Sequence, residues 1–359
     1  MNVRKLKNID CCKCIALLLI LIYHYWTLSG SKPIPVSGID TIVMLGGEIG
    51  VTMFFVLSGF GNYFLLKNKE TLNWYSFIAS RYRKMAPLYY ISILFVIAFT
   101  LSGAVYFSIS GVADIIAHLL FIHNFTVRFH GSINGALWTM GVIFQYYLIA
   151  MIIYKCMKKN KHITVLLSIV FTIVIKMLLY REILPADGTM YFIYGRQIVT
   201  TLDNFVIGMY IGSLIYEDNK ILSKIKGGIY FIVMMAVLIA WGKWGLTYGV
   251  YVDHVRGYIW HSVLAIILAG IIYVMGLMGE AHWTDLLQWI GVNEYGIYLL
   301  HLPILQNMLQ APLIQQFNSR GLSFVGCVCY LFVALTVGYF FNHLLDRSVI
   351  KKDIKKQQH

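Results

Sequence analysis

Charged side chains are what this chain has least of. Only 13% of its 359 residues are Asp, Glu, Lys or Arg, about half the share of a typical soluble domain. Hydrophobic residues make up 59%, and the mean hydropathy is +0.70. A water-soluble globule of this length cannot hide so much apolar surface, whereas helices in a bilayer meet lipid instead of water. Prolines number six and no Pro- or Ser-rich linker divides the chain. One integral domain is therefore expected over residues 1–359, with no appended soluble module. Cysteine is sparse as well: Cys11, Cys12, Cys14, Cys156, Cys327 and Cys329. Four fall at expected cytoplasmic helix ends and two within the last span, which argues against a disulfide framework. Helical spacing splays Cys11, Cys12 and Cys14 around the helix, so they read as small buried hydrophobes and no metal site is expected.

Acidic residues are outnumbered 16 to 29 by Lys and Arg, giving a formal charge of +13. The basic residues form no stripe, so nucleic acid is not an expected partner. They sit in short runs between apolar stretches, the way orientation is written in membrane proteins. Residues 1–7 are basic and precede an apolar run, but no small-x-small cleavage site follows Trp26, so a retained first helix is expected. The apolar pattern predicts an all-α bundle of about ten spans, each near the ~20 residues a bilayer requires. They are placed near 10–30, 46–66, 87–107, 136–154, 163–180, 198–216, 228–244, 257–278, 289–308 and 322–345, with 114–127 lying on or dipping into the outer face. Both termini are expected in the cytoplasm of a plasma-membrane protein.

An ionisable side chain deep in such a span is expensive and functional by default. His24 lies fourteen residues past Asp10, roughly 21 Å along the first helix. His301 lies twelve residues past Trp289, roughly 18 Å along the ninth. Glu48, Trp138, Gln145 and Asp203 reach a similar layer from three helices running the other way. Taken one at a time, such residues serve equally well as hydrogen-bonding glue between helices. As a layer they favour a cavity. Lys13, inside the first helix, and Arg81 and Lys84, just before Pro87, form a cytoplasmic cluster suited to a phosphorylated ligand. Arg83 and the 155–161 lysines read as orientation signals. Between the two levels, Phe54-Phe55-Val56-Leu57-Ser58-Gly59-Phe60 offers a small-residue notch, either for helix packing or as the wall of a channel.

Together these segments resemble the acyltransferase-3 family of integral membrane acyltransferases. The resemblance rests on Asp10, Lys13 and His24, on Phe54 to Phe60, and on Arg81, Lys84, Pro87 and Tyr89. It continues through Leu137-Trp138-Thr139 with Gln145-Tyr146-Tyr147, Phe205 to Met209 with Gly212, and Tyr295, Tyr298, His301 and Pro303. It implies ten core helices and transfer of an acyl group, usually acetyl from acetyl-CoA, to a hydroxyl of a surface polysaccharide or lipid-linked glycan. On that reading His24 is catalytic, as general base or as nucleophile, with Glu48 or Asp203 orienting it. Lys13, Arg81 and Lys84 hold the donor phosphates, and the pantetheine arm threads past Ser58 and Gly59. His301 or Gln145 steadies the oxyanion, and Trp26, Trp138, Tyr25 and Tyr298 stack on sugar. Two positions depart from the pattern. Lys13 replaces an arginine and loses its bidentate fork, and Ile143 stands where many members carry glutamate. Some members carry an extracytoplasmic hydrolase-like domain; without one, transfer is expected to finish in the membrane unit or with a partner. A transporter or flippase for lipid-linked sugars, or an inactive relative, are the rival readings.

Overall fold

A computed structural model describes residues 7–30, 39–69, 73–99, 108–183, 193–217, 224–248, 254–277 and 285–356. Among them are thirteen α-helices and no strand. These are α1 (Lys7–Ser29), α2 (Ile39–Met44), α3 (Gly46–Lys67), α4 (Trp74–Phe99), α5 (Ile109–Leu119), α6 (Trp138–Ile183), α7 (Ile198–Glu217), α8 (Lys224–Tyr248), α9 (His254–Leu277), α10 (Asp285–Val292), α11 (Glu294–Gln310), α12 (Pro312–Ser319) and α13 (Ser323–Lys356). Eight are long and apolar enough to cross a membrane. The chain is a multi-pass membrane protein with an all-α bundle fold.

The expected fourth and fifth spans are both contained in α6, whose 46 residues are broken at Asn160, where φ is −157° and ψ is 103°. Asn160 caps the second half: its Oδ1 accepts from the Ile163 N–H at 3.0 Å, the usual role of Asn at a helix start. The two halves fold back on one neighbour. Tyr146 donates to Thr201 Oγ1 at 2.5 Å, and the Asp203 N–H donates to Thr172 Oγ1 at 3.3 Å. Residues on either side of the break thus meet adjacent positions of α7, so α6 makes two passes. The basic 155–161 run, which falls between the expected fourth and fifth spans, is helical up to the break.

Two other spans differ from expectation. The third begins at Trp74, not Pro87, because Asn73 caps it: Asn73 Oδ1 accepts from the Ser76 N–H at 2.9 Å. Pro87 therefore lies inside α4, where lipid-embedded helices tolerate it, and Arg81 and Lys84 stand on a helix. The far end of that expected span, 100–107, lies outside the described residues. The ninth span is not one straight rod. It is divided at Asn293 between α10 and α11, and α11 turns by 76° into α12. Asn342 of α13 repairs the break: its Nδ2 donates to Asn293 O at 2.6 Å, and its Oδ1 accepts from the Gly296 N–H at 2.9 Å. A backbone break inside a bilayer needs such partners.

The expected outer-face segment is α5 together with a 3-10 turn, His123–Phe125. α5 turns Asp114 and His118 inward and leaves Ile109, Val112 and Ile116 exposed, the arrangement that lipid favours over water. At the centre, α3 crosses α7 at closest approach through Gly59 and Gly208. A Cβ on Gly59 would stand 1.9 Å from Phe205 O, and one on Gly208 would stand 1.9 Å from Val56 O. Small residues at such a crossing let backbones touch.

Candidate active site

α1 and α11 run parallel. Gly291, just before α11, lies against the Asp10 carbonyl, and fourteen residues on from Asp10 the His24 ring faces His301. Their centroids are 5.2 Å apart, with planes 37° from parallel. Pro303 sets up this part of α11. It has no N–H to give to Leu299 O, four residues back, and Asn134 Nδ2 donates to that carbonyl at 3.0 Å instead. His301 is fully buried, and its Nδ1 lies 2.5 Å from Tyr298 O. A carbonyl only accepts, so Nδ1 carries the proton and, in the neutral ring, Nε2 offers a lone pair. Tyr298 donates to Ala136 O at 3.0 Å and meets Thr139 Oγ1 at 2.8 Å. No described side chain hydrogen-bonds the His24 ring.

Two cavities flank this layer. The larger, about 560 Å³, is lined by the charged residues Asp10, Lys13, Arg81, Lys84 and Glu294 and by apolar residues that include Phe54, Met140 and Ile143. Its mouth mixes charges: Lys13 Nζ pairs with Asp10 Oδ1 at 2.8 Å. Arg81 lies over the Tyr147 ring at 5.8 Å, and its buried Nε has no partner. The smaller cavity, about 140 Å³, holds His24, Glu48, Trp138 and Arg196. Val51, on α3, and Tyr298 line both, so these two side chains stand between the cavities.

The structure brings together Lys13, Arg81, Lys84 and Ser58 around the larger cavity, and His24, Glu48 and Trp138 around the smaller, with Tyr298 between. It separates others. Gly59 points away from the cavity into the α7 contact, so it is a packing residue and not a channel wall. Neighbouring helical positions face different sides, which is why Ser58 and Gly59 part company. Gln145 is corrected as well: its Nε2 donates to Phe121 O at 2.9 Å and to Asn124 Oδ1 at 2.8 Å, leaving no donor for an oxyanion. The tautomer of His301 removes it from that role too. Asp203 lines neither cavity; it accepts from Ser262 Oγ at 2.5 Å and from the Asn204 N–H at 2.9 Å. Glu48 shares the His24 cavity, but its carboxylate is taken by Arg196 at 2.5 Å and by His261 Nε2 at 3.1 Å. Tyr25 is buried against Tyr330 and donates to Asn318 Oδ1 at 3.0 Å, away from both cavities.

A family model described as an acyltransferase domain, the acyltransferase-3 model, matches residues 6–343. The chain belongs to the acyltransferase-3 family. It is 23% identical over 344 residues to the peptidoglycan O-acetyltransferase OatA of Listeria monocytogenes, covering 86% of this chain and 50% of that protein. It is 30% identical over 182 residues to an O-acetyl transferase of Shigella phage Sf6, covering 45% of this chain and 49% of that one. The chain thus spans about half the length of the curated relatives it matches. No solved structure matches it.

In this acyltransferase-3 chain, four cavity or near-cavity residues escaped the sequence reading. Arg196 lies before α7, where the expected orientation puts the outer face. On that expected orientation, a cation on the side where cations are disfavoured is the available signal. Its guanidinium sits over the Trp138 ring at 5.1 Å. His261 and the buried Lys176 lie inside spans, and the depth criterion that singled out Lys13 applied to them equally. Glu294 stands in the first turn of α11, beside the larger cavity. Nothing in a linear reading separates it from an ordinary helix-start carboxylate.

Proposed function

We propose that this protein is a membrane O-acyltransferase. It moves an acyl group, acetyl from acetyl-CoA, from the cytoplasmic side to a hydroxyl of an extracytoplasmic or lipid-linked carbohydrate. The single observation carrying this reading is the pair of cavities on either side of Val51 and Tyr298. One has a mouth with three cations, and the other contains His24. On this reading both termini and the Lys13 end face the cytoplasm, consistent with the lysine- and arginine-rich segments.

Lys13, Arg81 and Lys84 bind the donor phosphates, and the partnerless Arg81 Nε fits such an acceptor. The apolar walls at Phe54, Met140 and Ile143 carry the thin arm toward Tyr298. His24, with no competing hydrogen bond, takes the proton of the acceptor hydroxyl as its oxygen bonds to the acyl carbon. The carbon–sulfur bond breaks, and the thiolate leaves with that proton. Trp138 offers the acceptor a face to stack on. A flippase needs a passage wide enough for a whole glycan, whereas here the Val51 and Tyr298 side chains stand between two separate cavities.

The test uses purified protein in lipid nanodiscs. Acetyl-CoA should bind and be cleaved slowly, with release of free thiol, and His24→Ala should lose cleavage while keeping binding and abundance. A wild-type protein that ignores acetyl-CoA refutes the reading.

A further inference from the structure

The reaction above needs a donor for the oxyanion that develops on the acyl carbonyl. Gln145 has both amide protons engaged, and His301 presents a lone pair. Among the side chains lining the His24 cavity, the Thr27 hydroxyl donates to the Tyr23 carbonyl at 2.9 Å and the Tyr298 hydroxyl donates to Ala136 O. The lining also carries the neutral Tyr23 hydroxyl, the neutral Trp138 indole N–H and one cation, Arg196.

Arg196 is built in. Its Nη2 bonds Glu48 Oε1, its guanidinium lies over Trp138 at 5.1 Å, and Glu48 is in turn held by His261 at 3.1 Å. The side chains of Arg196, Glu48 and His261 are only 17%, 16% and 15% exposed. Glu48 makes the resting pair neutral overall, which lessens the penalty of keeping a cation at membrane depth. Arg196 lines the same 140 Å³ cavity as His24.

Resting on the acyltransferase reading, we propose that Arg196 is a further catalytic residue: it stabilises the oxyanion formed when the acceptor oxygen attacks the acyl carbon. Glu48 and Trp138 are its positioning residues. As the new carbon–oxygen bond forms, the carbonyl electron pair moves onto oxygen and meets the guanidinium. When that pair returns, the carbon–sulfur bond breaks, and the thiolate takes the proton held by His24. The donor is fixed before the charge appears, so no reorganisation is required at the moment of reaction.

The test measures thiol release from acetyl-CoA by the full chain in nanodiscs, with water as the accepting hydroxyl. Arg196→Gln should lower kcat about 100- to 1000-fold, while KM for acetyl-CoA stays within about threefold, since the larger cavity holds the donor. Ethylguanidinium should restore at least about tenfold of the lost rate to Arg196→Ala, an effect that a purely structural role does not produce. Arg196→Lys, which keeps the charge, should fold even if the others do not accumulate, and should lose about tenfold in kcat with the fork. A kcat for Arg196→Gln or Arg196→Lys equal to wild type overturns the proposal, as does a loss confined to KM. So does a Tyr23→Phe variant that loses the rate while Arg196→Gln keeps it. A wild type that neither binds nor cleaves acetyl-CoA fails differently, since it removes the acyltransferase reading itself.

Discussion

Adding one methyl group at Gly59 should force α3 and α7 apart. The new Cβ would start 1.9 Å from Phe205 O and 2.9 Å from Met209 N, and ordinary contact begins at 3.4 Å. The obstacle is backbone in the middle of a helix, so no side chain can swing aside; the helices must separate by about 1.5 Å, and overpacking of this kind costs about 1–3 kcal/mol. Gly208→Ala meets Val56 O at the same crossing and at the same 1.9 Å, so it should cost about as much. The pair is informative because the displacement is shared. Once either alanine has opened the crossing, the second meets a relieved neighbour, and the double variant should fall short of the sum by about 1 kcal/mol or more. Thermal denaturation in detergent measures all three. Ser58 and Leu57, on the same helix, line the larger cavity, so acetyl-CoA affinity should weaken in parallel. Wild-type midpoints for both single variants, or strictly additive losses, would refute the close crossing.

Gln145→Ala should destabilise the protein by about 1–3 kcal/mol, because Asn124 Oδ1 and Phe121 O lose a buried donor, yet leave KM for the acceptor unchanged in a glycan acetylation assay. Asn160→Ala should cost about 1 kcal/mol through the lost cap, read as a lower melting midpoint with unaltered catalysis. Arg81→Gln should raise KM for acetyl-CoA about tenfold or more and reduce its salt dependence, with kcat nearly constant in thiol-release assays. Below neutral pH, His130 should erode stability. Burial and the nearby Arg196 charge lower it to about 4, against a hydrogen bond to Asn124 O that acts the other way. The unfolded chain takes up a proton near pH 6.5 that the folded one refuses, so stability is intact above that pH and falls as pH drops toward 4, by about 3 kcal/mol at most. Melting midpoints across that range should fall less steeply in His130→Gln.

Much of the architecture was legible because lipid imposes a strong local rule: a span must be apolar and about 20 residues long. That rule located the hairpin hidden in α6, the parallel course of α1 and α11, and the short non-spanning segment at α5. It failed at Trp74 and at Asn293. Asn73 is a start signal present in the sequence, but Pro87 is an equally favoured helix-start residue and competes with it. The Asn293 break is tolerable only because Asn342, 49 positions away, supplies the missing partners, and no local pattern carries that. Depth along a helix singled out His24, His301 and Lys13 by the same logic.

Composition and periodicity determined by themselves that this chain is a helical membrane bundle with two histidines in one layer and cations at another, because hydropathy and helical rise are properties of a single segment. The tertiary structure alone decided which way each side chain turns. It set Ser58 toward a cavity and Gly59 into a helix crossing, engaged Gln145 and Asp203 elsewhere, and brought Arg196 to Glu48 across 148 positions. Those outcomes depend on rotations and contacts between distant helices, where about 100° of turn per residue separates a lining residue from a packing one.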